Sequence, residues 1–455
     1  MAERKSADPA RVRGKVVAGL ACAAVVAAVS WRVWTHRDVP GEPHAPRYGM
    51  QDFRDAVYYP AAAFLHGDDP YDQPRYTAVY PVADGLALYS PLTLLLHAPL
   101  ALLPYRVAET VYYLGSVALT LALGALALVL CGVPPTAARV AGLGAALVAG
   151  RPGHWNLFNG QVTLQVVLPM LVALWCARDR PLLAGVALAV TTFKPTYGLP
   201  LAALLAVRGA WRAVLVGAVV AAALTSLVLV RLVALEGGVT PFVGVLEATY
   251  AARGREARKQ PQHSPFRVDV VALAGRAAGR SPSVVETLVL TAATLGVAAL
   301  GLVRPRRRAA AADDGAGGGA PDLAGEDRGA AAGGRAVVDR DARVHATGVA
   351  CLGVVACCYH QQYDLLILAL PLVALAWRGD AWPWRDRPAW RRLGLALVAV
   401  PLVNYLGSET AVTALGLPPA ALLAASSLDN VALLALLVVF VAAGWGAPLG
   451  ADARR

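Results

Sequence analysis

The chain has 455 residues, of which 57% are hydrophobic and 16% are charged, and its formal net charge is +11. Soluble globular domains carry about 25% charged residues, so the composition excludes an ordinary soluble enzyme and indicates an all-α polytopic membrane protein. The positive charge does not indicate nucleic-acid binding, because the basic clusters lie between apolar runs and are not interleaved with aromatic residues.

Apolar runs recur along the whole chain, and each bilayer crossing needs about 20 apolar residues. The sequence predicts about twelve transmembrane helices, at residues 15–34, 107–130, 137–151, 160–177, 181–194, 197–208, 211–235, 283–303, 343–358, 363–377, 391–408 and 420–446. The first run ends in "WRVW" rather than in a small-residue cleavage site. We therefore expect an uncleaved helix there and not a cleaved signal peptide.

The distribution of Arg and Lys orients these helices, because basic loops stay on the cytoplasmic side. Basic clusters lie in residues 1–14, at Arg178 and Arg180, at Arg208 and Arg212, in 304–308, in 378–392 and at 454–455. One orientation satisfies them all if the run 86–104, which contains three prolines, lies on the outer interface instead of crossing. Residues 35–106 then form a long first extracytoplasmic loop with interfacial helices.

The same topology requires a short helical hairpin at 181–194 and 197–208, which enters from the cytoplasmic side and turns at "FKPTYG". Pro195 and Gly198 favour a break at this turn. Fourteen helical residues rise roughly 21 Å. The hairpin therefore places Lys194 near the outer face of the membrane.

The predicted organisation has five parts. They are a cytoplasmic N-terminus (1–14), a transmembrane catalytic region (15–303, with outer loops 35–106 and 236–282), a disordered cytoplasmic linker (304–342), a C-terminal transmembrane region (343–446) and a cytoplasmic tail (447–455). The Gly- and Ala-rich composition of 309–336 indicates the linker. The six cysteines lack metal-ligand spacing and are interpreted as packing residues. We expect no metal and no cofactor.

Polar residues at membrane depth are costly and mark functional sites, and this topology gathers them on the outer side. The candidates are Asp52, Arg54, Asp55, Tyr58, Tyr59, Asn159, Gln161, Lys194, His263, His360, Gln361 and Asp364. Carboxylates beside aromatic rings suit sugars, because the C–H face of a sugar stacks on a ring while its hydroxyls bind acids. The alternatives are solvated ion pairs at 52–55, snorkelling of Lys194 to the headgroups and helix capping at 360–364.

Several segments between about residues 48 and 377 resemble glycosyltransferase family 87. They are "DFRDAVYYPAAAFLHGDDPYD" with "YSPLTLLLHAPLALLP", then "NGQVTLQVVLPMLVAL", "LLAGVALAVTTFKPTYGLPLAALLAVRGAWR" and "YHQQYDLLILALPL". Their order and spacing together are more specific than any one of them. Two positions depart from the family: Thr163 stands where Asn often follows "GQ", and "QHSPFR" (262–267) replaces an "NQS"-like motif.

This resemblance implies a GT-C fold and an inverting transfer of a sugar from a polyprenyl-phosphate-sugar donor to an envelope glycolipid or glycan acceptor. Mannose is the family's usual sugar, with arabinose as an alternative. The general base of the family matches Asp52, and Asp55 is its rival because a spacing of three puts both acids on one helical face. Lys194 would contact the donor phosphate. The implied location is the cell membrane, with a multi-pass chain and an active site on the extracytoplasmic side.

Two other classes of function stay open from the residues alone. A polytopic transporter or a lipid or glycolipid flippase would also have many helices and buried charge. A non-catalytic scaffold is the third class, but it gives no reason to gather polar groups on one face. The long acidic and aromatic first loop, the interfacial proline-rich run and the absence of an obvious repeat favour the enzyme. The expected partners are the donor, the acceptor and the lipid bilayer.

Overall fold

The computed structural model describes residues 9–37, 49–82, 86, 89–256, 259–316 and 325–446. For residues 9–12, 304–336, 419 and 446 it describes the backbone alone. Within these ranges the regular elements are helices, and one isolated antiparallel bridge joins Arg267 to Gln361.

The α-helices are α1 (Pro9–His36), α2 (Tyr59–His66), α3 (Gln73–Val79), α4 (Leu92–Ala101), α5 (Tyr105–Leu130), α6 (Ala137–Ala149), α7 (Arg151–Asn159), α8 (Thr163–Cys176), α9 (Pro181–Thr191), α10 (Pro195–Val207), α11 (Trp211–Leu235), α12 (Val239–Arg255), α13 (Val270–Ala278), α14 (Val284–Ala316), α15 (Gly325–Cys357), α16 (Ala369–Trp377), α17 (Pro388–Val403), α18 (Glu409–Ala414) and α19 (Pro419–Gly446). A π-helix spans Phe53–Tyr58, and 3-10 helices span Gln362–Leu368 and Tyr405–Gly407.

The helices differ in whether they are long enough to cross a bilayer. In the described part of the chain, five have the length and apolar composition to do so: Arg13–His36, Tyr105–Leu130, Trp211–Leu235, Val284–Val303 and Ala420–Trp445. Other predicted runs form apolar helices of 10–17 residues, which rise only about 15–26 Å against a hydrocarbon core of about 30 Å. The all-helical membrane architecture is confirmed, but length supports five crossings where about twelve were predicted.

Breaks within the apolar runs explain the short helices. Gly150 separates α6 from α7, and Gly160 separates α7 from the segment that leads into α8. Hydropathy does not detect these breaks, because glycine is itself compatible with an apolar run. A prediction based on apolar length therefore overestimates the number of complete crossings.

The chain between α1 and α5, predicted as the first outer loop, is largely helical. It contains the π-helix and α2, α3 and α4. Helix α4, which lies within the run 86–104 expected on the interface, has ten residues and rises about 15 Å. A second hydrophobic cluster packs this region against α11 and α12, through Phe64, Tyr71, Leu86, Leu94, Val228, Leu232 and Phe242.

The predicted hairpin at 181–208 forms as two helices, α9 and α10, with a break at residues 192–194. Gly198 lies directly against Thr192, where an added Cβ would come within 2.7 Å of the Thr192 Cα. Helix α9 packs between α8 and α11. The break therefore places Lys194 at the tip of a tight turn between two apolar helices.

The segment predicted as a disordered linker, 304–342, is helical where it is described. Helix α14 continues to Ala316, and α15 begins at Gly325. Alanine-rich sequence such as "AAAADDGA" (309–316) has high helix propensity. Residues 317–324 of the predicted linker and the predicted tail 447–455 lie outside the described residues.

Candidate functional site

The segment that carries Asp52 crosses the turn after α7, and this crossing holds Asp52 beside Gln161. The amide Nε2 of Gln161 donates a hydrogen bond to the Asp52 carboxylate. The backbone N–H of Met50 donates to the carbonyl of Phe158 at 2.6 Å. Met50 has a φ of 58°, a strained conformation for a non-glycine residue, and Asp52 directly precedes the π-helix. Such strain and π-helical turns concentrate at functional sites.

Gly160 makes this crossing close. Its φ of 70° lies in the left-handed region, which glycine adopts without steric cost. An added Cβ would lie 2.6 Å from the Cβ of Phe53 and 3.1 Å from the terminal methyl of Met50. Glycine is therefore required both by the turn after α7 and by the approach of the Asp52 segment.

A second group of side chains surrounds Asp364, at the start of the 3-10 helix. Its carboxylate accepts hydrogen bonds from Lys194 Nζ at 2.6 Å, Thr163 Oγ1 at 3.0 Å and the backbone N–H of Gln361 at 3.0 Å. His360 Nδ1 lies 3.1 Å from the other carboxylate oxygen. Lys194 is 6% exposed, so it does not snorkel to the surface. Asp364 anchors both cationic side chains.

The environment of His360 requires it to be positively charged. Nδ1 faces the Asp364 carboxylate, and Nε2 lies 3.2 Å from the Thr196 carbonyl. Both neighbours can only accept hydrogen bonds, so both ring nitrogens must donate, which is the imidazolium form. Lys194, His360 and Asp364 together carry one net positive charge. This group, which we call the cationic triad, suits a singly charged anion such as a phosphate diester.

Tyr89 and Tyr363 feel the charges of both Asp52 and the cationic triad. The charges of Asp52 and Asp364 both act on the hydroxyl groups of these two tyrosines. Burial, together with these two carboxylates, raises the pKa of Tyr89 well above its usual value, whereas the nearby Arg253 lowers it. Ser90 N–H donates to the Phe193 carbonyl at 2.8 Å, which fixes the Tyr89 segment against the turn that carries Lys194.

Residues 50–59, which we call the Asp52 arm, contain four further predicted residues that serve mainly its packing. Arg54 and Asp55 form a buried ion pair at 2.9 Å. Tyr58 donates to the Leu103 carbonyl at 2.8 Å, and Tyr59 stacks on Tyr105 with ring centroids 5.5 Å apart. These rings pack against other rings of the loop. The predicted sugar-binding role of these four residues stays a prediction.

Asn159, Gln361 and His263 complete the predicted set. Asn159 ends α7, two residues before Gln161, and is half-buried. Gln361 contributes its backbone N–H to Asp364. His263 is exposed on the loop before α13. Arg267, four residues later, lies next to the site because it forms the antiparallel bridge to Gln361. Its side chain forms an ion pair with Asp269 at 2.8 Å.

A buried network that was not predicted from the sequence joins the start of α7 to α19. Arg151 Nη1 donates to Asp429 at 2.9 Å, and both side chains are fully buried. Arg151 Nη2 also donates to the Gly407 carbonyl. The same carbonyl accepts a second hydrogen bond from Gln362 Nε2 at 3.2 Å. An arginine at the start of α7 and an acid inside the apolar helix α19 are the signals that could have revealed this network.

The loop between α2 and α3 contains a buried carboxyl group with a raised pKa. Asp69 is buried there, and its carboxylate accepts the Tyr71 N–H at 2.8 Å. Burial and the neighbouring Glu236 carboxyl raise the pKa of Asp69 to about 7. In the part of the chain that the structure covers, no three His, Cys, Asp or Glu side chains are grouped closely enough to hold a metal ion.

The comparisons with known proteins identify a family. No curated protein and no solved structure matches the chain. Residues 87–318 match glycosyltransferase family 87, which is just over half of the 455 residues. The matched part includes Gln161 and Lys194, while Asp52 and Asp364 lie on either side of it. The chain belongs to glycosyltransferase family 87.

Proposed function

We propose that this membrane glycosyltransferase moves a sugar, with mannose the first candidate, from a polyprenyl-phosphate-sugar donor to an envelope glycolipid or glycan acceptor, with inversion at the anomeric carbon. Asp52 is the general base, and the cationic triad holds the donor phosphate. The active site faces the extracytoplasmic side of the cell membrane. The observation that supports this assignment is that the charges of Asp52 and of Asp364 in the triad both act on the same two tyrosines, Tyr89 and Tyr363.

The reaction needs a proton acceptor next to the acceptor hydroxyl. The hydroxyl oxygen attacks the anomeric carbon, and the Asp52 carboxylate takes the hydroxyl proton as the new C–O bond forms. Gln161, which can donate but not remove a proton, orients the carboxylate. The half-buried position of Asp52 leaves its carboxylate accessible to the acceptor.

The same displacement releases polyprenyl phosphate with the electron pair of the broken bond. Negative charge grows on the phosphate oxygens, and preorganised cations stabilise such charge more than water does. Lys194 and His360 are preorganised because Asp364 and Thr196 fix them. Inversion requires attack from the side opposite the leaving group, so the proposal needs the base and the cationic triad to act on opposite faces of the anomeric carbon.

The decisive experiment compares two acids that lie three residues apart. Asp52→Asn should reduce sugar transfer by about 10²–10⁴-fold, the usual contribution of a general base, while donor binding stays largely intact. Asp55→Asn is the matched control, because Asp55 is already engaged by Arg54 at 2.9 Å. Transfer of labelled sugar and binding of the donor are both measured in purified, folded protein.

The two variants also separate the competing assignments. An inactive Asp55 variant beside an active Asp52 variant would move the base by one turn. Transfer by neither the wild type nor the variants, together with gradient-dependent uptake of a solute by the wild type, would favour a transporter. The glycolipid profile of membranes that lack the protein would identify the sugar and the acceptor.

The proposed orientation has its own test. In a cysteine-free protein, a single cysteine at exposed position 263 should react with an impermeant maleimide added to intact cells. A single cysteine at position 179, in the turn between α8 and α9, should react only after permeabilisation. The reverse pattern would place the proposed active site on the cytoplasmic side.

A further inference from the structure

Arg32 occupies an unusual position for an arginine. It lies within the apolar span Arg13–His36, four residues before α1 ends, or about 6 Å along the helix axis. A charged side chain at this depth costs free energy unless an opposite charge or water compensates it. The side chain is half-buried, so it turns inward onto the protein rather than extending fully into solvent.

The partners of Arg32 are uncharged. Its Nη1 donates to Nε2 of His154 at 2.9 Å, and its guanidinium carbon lies 4.5 Å from the ring centre of Phe158. Among the residues that the structure covers, no carboxylate pairs with Arg32. Two arginines nearby differ: Arg37 lies 3.8 Å from Glu109, and Arg151 is paired with Asp429. The anion that should compensate Arg32 is therefore not a carboxylate of the residues that the structure describes.

His154 holds the guanidinium of Arg32 in place. A guanidinium N–H can only donate, so Nε2 of His154 must accept, and the neutral ring carries its proton on Nδ1. Arginine itself has five N–H donors, one of which is used by His154. A guanidinium that keeps several N–H donors beyond the one that His154 accepts suits the oxygens of a phosphate.

Aromatic side chains on the same helix indicate what kind of anion reaches this depth. Trp31 is 74% exposed and Trp34 is 45% exposed. Tryptophan concentrates at the boundary between headgroups and acyl chains. The anion that is abundant at this boundary is the phosphate of a phospholipid.

We infer that Arg32, held in place by His154, binds the phosphate of an anionic phospholipid headgroup in the leaflet at the C-terminal end of α1. The site is separate from the cationic triad and does not depend on the proposed sugar transfer. Phe158 connects the Arg32 site to the Asp52 arm. Its ring lies under Arg32, and its backbone carbonyl accepts a hydrogen bond from the Met50 N–H.

The test measures lipid retention by the full-length protein in nanodiscs of phosphatidylcholine with an increasing fraction of phosphatidylglycerol. Native mass spectrometry should show preferential retention of phosphatidylglycerol by the wild type. Arg32→Gln should weaken the tightest phosphatidylglycerol site by about 10- to 150-fold, as expected for loss of a charged hydrogen bond. Arg32→Lys, which keeps the charge, should retain part of the affinity.

Arg106→Gln is the matched control, because Arg106 is another arginine near a helix end, at the start of α5, but is paired with Glu109 at 3.1 Å. It should leave the tightest site unchanged. Equal retention by wild type and Arg32→Gln, or no preference for phosphatidylglycerol in the wild type, would overturn the inference. Competition by millimolar inorganic phosphate would instead identify a site for soluble phosphate.

A photoreactive phosphatidylglycerol keeps the test decisive if Arg32→Gln fails to fold. In the wild type it should crosslink to peptides from 31–37 or 151–159. Crosslinks found only in other parts of the chain would also overturn the inference.

Discussion

The two ends of α9 each lie beside an ion pair, and the two pairs differ in burial. At the end near residue 194, Lys194 and Asp364 pair with side chains 7% and 1% exposed. At the end near residue 181, Arg343 pairs with Asp179 with side chains 29% and 55% exposed. Burial makes the first pair difficult to replace, because removing one partner leaves an unpaired charge without water. The second pair remains solvated and contributes little.

Arginines other than Arg343 have a different structural role from the cations of the triad. Arg391 donates to the carbonyls of Leu375 and Ala376 at 2.7 and 3.1 Å, which satisfies the C-terminal end of α16. Any long cation near this helix end could do the same. The comparison predicts that substitutions near Lys194 affect the protein far more than substitutions near Asp179.

The largest expected difference in stability is between Asp364→Asn and Asp179→Asn. Loss of the Asp364 charge leaves Lys194 and His360 buried without an anion, which should destabilise the protein by about 3–5 kcal/mol. Asp179→Asn should cost less than about 1 kcal/mol. Thermal unfolding in detergent measures both. Equal shifts for the two variants would contradict the distinction between the ends.

Lys194→Met tests the same end through catalysis. It should lower kcat/KM for the donor by about 10- to 150-fold, because one charged hydrogen bond to the phosphate is worth about 1.5–3 kcal/mol. Arg343→Met is the control and should leave the kinetics unchanged. Unchanged donor kinetics in a folded Lys194 variant would limit Lys194 to pairing with Asp364.

Gly160→Ala tests whether the Asp52 arm depends on the close crossing. Alanine in the left-handed region costs about 1–2 kcal/mol, and its Cβ would meet Phe53 at 2.6 Å. We expect lower turnover and a lower unfolding temperature. Gly115→Ala, with open space around its Cβ, is the control. Wild-type turnover in Gly160→Ala would show that the crossing tolerates a shift.

The smallest expected effect concerns pH and Asp69, away from both ends of α9. Asp69 keeps its proton up to about pH 7 in the fold, whereas an unfolded aspartate loses it near pH 4. The folded chain therefore binds more protons between these values, and stability falls as pH rises from about 4 to 7.

Asp69→Asn should flatten this dependence. One pKa unit corresponds to about 1.4 kcal/mol, and after solvent screening we expect a change of about 1–2 kcal/mol across the window. Unfolding temperatures at pH 5 and pH 7 measure it for both proteins. The Asp68→Asn protein is the control, because Asp68 is more exposed. A slope unchanged by Asp69→Asn would assign the pH dependence to other groups.

Much of the fold was predictable from apolar length and composition. The long helices α5 and α11 coincide with the runs predicted at 107–130 and 211–235 within a few residues. The break before Lys194 followed from Pro195 and Gly198. The π-helix after Asp52 did not, because no residue pattern in that segment distinguishes it from an α-helix. The extension of α14 was missed because low complexity was interpreted as disorder.

The candidate site was predictable as a set of residues but not as a set of contacts. Asp52, Gln161, Lys194, His360 and Asp364 were each named from their polarity in apolar surroundings. Their pairings span 109 residues between Asp52 and Gln161 and 170 between Lys194 and Asp364. Local spacing carries no information over such separations, since these contacts depend on how the helices pack.

The Arg151–Asp429 pair has a consequence for how the protein is made. Its two residues are 278 positions apart, so at roughly 5–20 residues per second the ribosome delivers Asp429 about 15–55 s after Arg151. During that interval the newly inserted arginine has no carboxylate from α19 and must be tolerated by water, lipid or insertion factors. Nascent chains released before α19 would retain this uncompensated charge. They should therefore be recognised and degraded by membrane proteases more readily than the finished protein.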